Sequence, residues 1–231
     1  MPRNAAIQAA LSVPRLGTYL TATTPRPPLP APSPAQLLQN AVSLYGWNAA
    51  VSSAFLHPLH ICEVTVRNAV SDALSQIFGA NWPWDSGFVG SLPLKVGRFR
   101  PRNEVLTTAA SVGNGANPST GKVLAEMKFA FWEHLFTARY QPTIWNSQIQ
   151  TVFPHAPVGL QPHQIRADIH ARLVQVRALR NRIAHHEPIF KRNLHADLSK
   201  IEDIVSYRCA HTIEWLRHGQ MVRFMLGHRP I

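Results

Sequence analysis

Apolar residues recur every three or four positions along most of this chain, which is the spacing of one face of an α-helix. A helix is predicted for 35–56, with Ser33 as its cap and Pro34 in its first turn. Pro58 predicts a break, because proline cannot donate a backbone hydrogen bond inside a helix. A second helix is predicted for 59–78. Its apolar stripe consists of Leu59, Cys62, Val66, Val70, Ala73 and Ile77.

The same periodicity predicts several further helices. They are expected at 3–12, from 14 to 20, and at 120–140, 162–185 and 194–216, with a short helix near Trp145. Residues 24–34 are dense in proline and predict a linker, and 80–118 predict a long irregular insertion rich in Gly, Pro and Asn. No stretch alternates with the period of a β-strand. The sequence therefore predicts an all-α up-and-down helix bundle, with short helices and a linker in 1–34 and one helical domain in 35–231.

Two charged residues fall on apolar faces of these predicted helices. On an ideal helix, Arg180 shares the sector of the apolar residues of 162–185, and Glu63 lies within the stripe of 59–78. An isolated buried charge is unfavourable, so each residue needs a partner. The simplest arrangement is an ion pair between Glu63 and Arg180. Arg67, one turn after Glu63, is a second candidate for that carboxylate.

A second face of the 162–185 helix carries small residues that end in polar ones. Its members, spaced by three and four, are Ala171, Val174, Ala178, Asn181 and His185. Small residues permit close approach, so this face is expected to pack on a neighbouring helix or on a second subunit. Arg180 lies about 140° from His185 on an ideal helix. Only the long arginine side chain, or a distorted helix end, would bring the two head groups together.

The charge of the chain points to a polyanionic partner. Lys and Arg number 23 against 12 Asp and Glu, a formal net charge of +11, and 18 of the cations are arginine. A guanidinium group matches two phosphate oxygens at once, so RNA is the first expectation. The residues predicted to contact phosphates are Lys95, Arg98, Arg100, Arg102, Arg177, Arg182 and Arg192. The alternative is that these cations form an ordinary solvated surface.

Several other classes of protein are disfavoured. Two cysteines, Cys62 and Cys209, form neither a disulfide framework nor a thiolate zinc site. The run from His185 to Glu187 cannot converge on one ion, because consecutive helical residues diverge by about 100°. No glycine-rich phosphate loop is present. No signal peptide and no apolar run long enough to cross a bilayer are seen, so a cytoplasmic protein without metal, cofactor or membrane association is predicted.

Four segments, in order, resemble one family. Residues 179–188 read LRNRIAHHEP, an Arg and a polar residue with His five positions after the Arg. Residues 58–69 read PLHICEVTVRNA, residues 128–136 read KFAFWEHLF, and residues 12–20 read SVPRLGTYL. Together they resemble the Abi-like branch of the HEPN superfamily, whose doubled His after Ala marks proteins linked to abortive phage infection.

The resemblance implies a bundle that dimerises around its Arg–His helices, with a basic cleft at the seam. Many relatives are metal-independent endoribonucleases, acting in phage defence or as toxins held by an antitoxin or regulatory protein. By this resemblance Arg180 stabilises the scissile phosphate, His185 exchanges protons and Asn181 orients the phosphate or the imidazole. The implied supporting residues are Glu63, Arg67, Asn68 and His186. The alternative reading is a non-catalytic dimer that binds RNA or a partner and whose Arg and His are structural.

Overall fold

The computed structural model describes residues 2–25, 32–115 and 118–230, and within them the chain is all-helical, with no β-strand. The helices are α1 Arg3–Leu11, α2 Val13–Thr23, α3 Pro34–Phe78, α4 Ser86–Ser91, α5 Pro101–Gly113, α6 Thr120–Glu126, α7 Phe129–Leu135, α8 Asn146–Val152, α9 Pro162–Ala184, α10 Leu194–Arg208, α11 Ala210–Gly219 and α12 Val222–Gly227. Short 3₁₀ turns at Trp82–Trp84 and Ala138–Tyr140 and a π turn at Gln141–Trp145 connect some of them. The prediction of an all-α protein is confirmed.

Helix α3 is one continuous helix of 45 residues, and the predicted break at Pro58 is wrong. A proline inside a helix removes one backbone hydrogen bond and costs about 3 kcal/mol. The Pro58 ring is buried, and Phe55 and Leu59 on either side of it are buried in the same core. Burying such side chains contributes about 1.5–3 kcal/mol each, which offsets the lost bond. The predicted cap is present, since Ser33 accepts a hydrogen bond from the backbone N–H of Gln36.

Helix α3 is the central support of the fold. Helices α2, α9, α10 and α12 all pack against it. Because other helices pack on it along its length, α3 contributes buried residues from Ala41 to Leu74. The apolar core is therefore continuous from α2 to α12.

Among the described helices, α3 alone is long and apolar enough to meet the criteria for a membrane-spanning helix. Its most apolar window of 18 residues has a mean hydropathy of 1.2, and a third of that window is buried. The prediction that no such segment exists is therefore wrong for α3. The core helix of a water-soluble protein meets the same criteria, and α3 packs against most of the other described helices.

The segment 80–118 is irregular only in part, because α4 and α5 lie within it. Trp82 anchors this segment to the core: its side chain is fully buried, and its indole N–H donates to the hydroxyl of Ser71 on α3 at 3.1 Å. The prediction of an irregular insertion is corrected to that extent. Residues 116 and 117 lie outside the described residues.

Two predicted helices are divided. The helix expected at 120–140 ends at Glu126 and resumes at Phe129 as α7. Between them, the backbone N–H of Lys128 donates to the carboxylate of Glu104 at 2.8 Å, so a side chain replaces the helical acceptor. The helix expected at 194–216 is interrupted at Cys209, whose backbone is extended.

The N-terminal helices pack on the rest of the protein. Helices α1 and α2 both contact α3, and Leu16 and Tyr19 of α2 belong to the main core. Most of the predicted proline-rich linker, residues 26–31, lies outside the described residues.

Candidate functional site

The end of α9 is shaped by a C-terminal capping motif. The backbone N–H of Glu187 donates to the carbonyl of Arg182 at 2.7 Å, and that of His186 donates to Ile183 at 3.0 Å. This pair of bonds defines a Schellman motif, which needs a left-handed residue just after the helix. His186 occupies that position with φ of +54°, where glycine is usual. A non-glycine residue in this region stores conformational strain, and such strain often marks a functional turn.

The three predicted catalytic residues lie on the last turns of α9. The side chains of Arg180 and His185 are exposed, and Asn181 is partly exposed. In the described part of the chain, Arg180 has neither a hydrogen-bond nor an ion-pair partner. The three side chains are therefore available to a ligand from solvent.

The prediction that Arg180 lies on the core face of α9 is wrong. The buried stripe runs from Val176 to Leu179 and then to Ile183, so Leu179 takes the core position. A residue three or four positions after Val176 lies on the same helix face, so either Leu179 or Arg180 could have been buried, and packing buried Leu179. The expected ion pair between Glu63 and Arg180 is consequently absent.

The supporting residues predicted on α3 form no hydrogen bond to the end of α9. Glu63 is partly exposed and makes no ion pair within the described residues, and Asn68 is exposed. Arg67 is partly buried, and its Nε is shielded from solvent without a hydrogen-bond partner. These residues remain predicted members of the site by resemblance only.

Two residues that sequence reasoning did not single out hold the turn after α9. Arg15 of α2 donates from its Nη2 to the carbonyl of His186. Asn48 of α3 is buried, and its Oδ1 accepts hydrogen bonds from the backbone N–H groups of Ile189 at 2.8 Å and Phe190 at 3.1 Å. The available signal was the polar Asn48 among the buried apolar positions of α3.

A pocket of about 480 Å³ opens beside this turn. Ile183, Ala184 and His186 form the wall on the α9 side, and residues of α2 and α3 form the others. Tyr19 lines it from α2, and burial, with a smaller contribution from Tyr45, raises the pKa of its phenol to about 12. The phenol therefore stays neutral. The pocket adjoins the helix turn that carries His185.

Most of the arginines predicted to contact phosphates have intramolecular partners instead. Arg177 pairs with Glu133 of α7, and Arg192 makes two hydrogen bonds to Asp197 at 2.7 and 2.9 Å. Arg182 donates to the carbonyl of Pro188 at 3.1 and 2.7 Å and lies 3.3 Å from Glu187. Arg102 donates to the carbonyls of Leu92 and Gly90. Lys95, Arg98 and Arg100 are exposed, and no partner exists for them in the described ranges.

Two histidines near the Arg177–Glu133 pair are held neutral. Burial lowers the pKa of His134 below its usual 6.5, and Arg139 lowers it further. Burial likewise lowers the pKa of His170. The hydroxyl of Tyr140 lies 3.0 Å from the ring nitrogen of His134. His134 and Tyr140 are buried and His170 is partly buried, where α7 and the turn after it pack on α9.

No group of three His, Cys, Asp or Glu side chains in the described ranges is close enough to hold a metal ion. Comparison of the chain with protein-family models, with curated proteins and with solved structures found no match in any of the three.

Proposed function

We propose that this protein is a metal-independent endoribonuclease of the Abi-like HEPN type, acting in phage defence or as a toxin in the cytoplasm. The observation that carries the proposal is the state of Arg180. It is an exposed cation without a partner among the described residues, on a helix where Arg177 and Arg182 are both paired. A guanidinium without a partner among the described residues, on the same last turns of α9 as an exposed imidazole, suits a phosphate ligand.

The reaction uses groups that RNA itself supplies. The 2′-hydroxyl attacks the adjacent phosphorus, the bond to the 5′-oxygen breaks, and the products carry a 2′,3′-cyclic phosphate and a 5′-hydroxyl. Arg180 stabilises the charge that builds on the phosphate oxygens. His185 takes the proton of the 2′-hydroxyl or gives one to the leaving oxygen, since an imidazole can both accept and donate a proton. Asn181 orients the phosphate or the imidazole.

The capped turn supports this arrangement mechanically. The Schellman bonds, Arg15 and Asn48 hold the backbone on the C-terminal side of His185. A side chain that transfers a proton must stay within hydrogen-bond distance of its substrate, and a fixed backbone restricts the positions that this side chain can reach. Three backbone anchors within six residues therefore suit a positioned His185.

The small-residue face of α9 supports dimerisation. Ala171 and Ala178 are exposed, and Val174 and Asn181 are partly exposed, so the described helices leave much of this face open. We propose that a second copy packs there, which places two Arg180–His185 sets at one seam. Phosphate contacts beyond the seam come from Lys95, Arg98 and Arg100 rather than from the paired arginines.

Cleavage of labelled single-stranded RNA in the presence of a chelator tests the proposal. We expect wild type to cut and His185→Ala to leave the RNA intact. The matched control is His163→Ala, which removes another exposed histidine from the first turn of the same helix, about 33 Å away along its axis. Placing a 2′-deoxynucleotide at the mapped site should block cutting. Equal inertness of wild type and His185→Ala on varied RNAs would rule out the nuclease.

A second candidate is a non-catalytic dimer that binds RNA or a regulatory protein, and the uncovered face of α9 favours it. It predicts RNA binding that weakens steeply with salt and no cleavage. A light-scattering mass of the purified protein tests the dimer common to both candidates. If the protein is a monomer, neither candidate has a dimer interface at α9. An antitoxin or regulatory protein that binds the same end of α9 would fit either candidate.

A further inference from the structure

The pocket beside the end of α9 has the size of a small-ligand site. Its volume of about 480 Å³ lies within the range of about 300–1,000 Å³ found for sites that bury most of a small ligand. Three separate elements build it: α2, α3 and the capped turn after α9. Since the anchors from Arg15 and Asn48 hold these elements together, the pocket is already formed without a ligand.

The lining combines a large apolar wall with a few polar groups. Leu56, Ile183 and Ala184 supply apolar surface, and Tyr45 adds a partly exposed aromatic ring. Tyr19 packs edge-on against Tyr45, with ring centroids 5.1 Å apart, and this contact fixes the orientation of the Tyr45 ring. A rigid aromatic group in an apolar wall binds flat heteroaromatic rings well.

The polar groups of the lining suit the edge of a nucleobase. Ser52 and Ser53 each present a hydroxyl, which both donates and accepts. Arg15 spends one Nη2 hydrogen bond on the carbonyl of His186 and keeps further N–H groups for an anion. A ligand with a flat ring, polar edges and an attached phosphate satisfies all of these groups.

We propose that this pocket binds one nucleobase of single-stranded RNA, next to the phosphate that is cut. This inference rests on the proposed function, because it takes the ligand to be the RNA whose phosphate meets Arg180 and His185. The pocket wall includes Ala184, directly before His185 in the chain. The pocket therefore lies beside the helix end that carries His185, although Arg180, Asn181 and His185 are not among its lining residues. Sequence-specific recognition of RNA commonly uses unstacked bases held on aromatic side chains.

Filling the pocket tests the proposal. Ala49 lines the pocket and is exposed, whereas Ala50, the next residue of α3, is exposed and does not line it. Ala49→Trp occupies the site, and Ala50→Trp is the matched control. Ser53→Phe, one turn after Ala49, is a second variant that fills the site. Circular dichroism melting verifies that all three fold.

Binding is measured in a His185→Ala background, so that no RNA is cut, by fluorescence anisotropy with labelled oligonucleotides of each base. We expect Ala49→Trp and Ser53→Phe to weaken binding about tenfold or more, since one base stacked on an aromatic ring contributes roughly that factor. Ala50→Trp should bind as the parent does. If Ala49→Trp and Ser53→Phe bind RNA with the same affinity as Ala50→Trp and the parent, the proposal is overturned.

A second arm separates a base within RNA from a free nucleotide. AMP, GMP, CMP and UMP are titrated against the same variants. If only free nucleotides are sensitive to Ala49→Trp, the RNA strand is not the source and the proposal fails. If the filled variants lose RNA binding but wild type does not cleave RNA, the pocket proposal stands and the nuclease proposal fails. If wild type cleaves RNA but the filled variants bind RNA as the parent does, the nuclease proposal stands and the pocket proposal fails.

Discussion

Removing the Asn48 side chain should detach the turn that follows α9. In Asn48→Ala, the backbone N–H groups of Ile189 and Phe190 lose their acceptor, and both residues are buried, with 0% and 3% exposure. A buried donor without a partner costs about 1–3 kcal/mol. Two donors give about 2–6 kcal/mol, and we expect about 3 kcal/mol because a small shift of the turn admits water to one of them. For a chain of this size that loss lowers Tm by about 6–12 °C.

Thermal denaturation followed by circular dichroism measures the effect, and amide hydrogen exchange locates it at Ile189 and Phe190. Asn40→Ala is the matched control on the same helix, because Asn40 accepts only one exposed hydrogen bond, from Gln36. That variant should change Tm by no more than about 2 °C. If Asn48→Ala melts within 2 °C of wild type and both amides keep their protection, the anchoring role assigned to Asn48 is refuted.

Three further predictions concern ionisable residues. Arg180→Ala should abolish cleavage and leave Tm within about 2 °C of wild type, because its side chain is exposed; a large loss of Tm would make Arg180 structural. Arg192→Ala should lower the free energy of unfolding in urea by about 2 kcal/mol, since Asp197 is buried and keeps only a lysine at 3.8 Å, whereas Arg98→Ala should change it little. Stability should fall as pH drops below 6.5, because burial lowers the pKa of His134 and the unfolded chain then binds the proton more tightly. Urea titrations between pH 7.5 and 5 should show this slope, and His134→Gln should flatten it.

The arginines of this chain illustrate why composition alone misassigns basic residues. Arg177, Arg182 and Arg192 all counted toward a phosphate-binding surface, yet each has a partner within the fold. Arg180 counted as buried, yet it is exposed and unpaired among the described residues. A net charge of +11 predicts a polyanionic partner, while ion pairing within the protein decides which cations remain available to any partner.

The sequence by itself determined the elements that depend on neighbours three or four positions apart. Apolar periodicity predicted an all-α protein, and it placed α9 at 162–185, within one residue of the observed Pro162–Ala184. Capping chemistry placed the start of α3 at Ser33 and Pro34. The polar end of α9 was also visible, because a motif within one helix needs no knowledge of the other helices.

The tertiary structure decided the features that depend on which helices pack against each other. Burial on both sides of Pro58 kept α3 continuous, and packing chose Leu179 over Arg180 for the core. The hydrogen bond that Ile189 donates to Asn48 joins residues 141 positions apart, and the pocket forms only where three elements converge. Helical periodicity records the face of each helix but not the neighbour that covers it, and that neighbour determines which polar groups are paired and which remain open to a ligand.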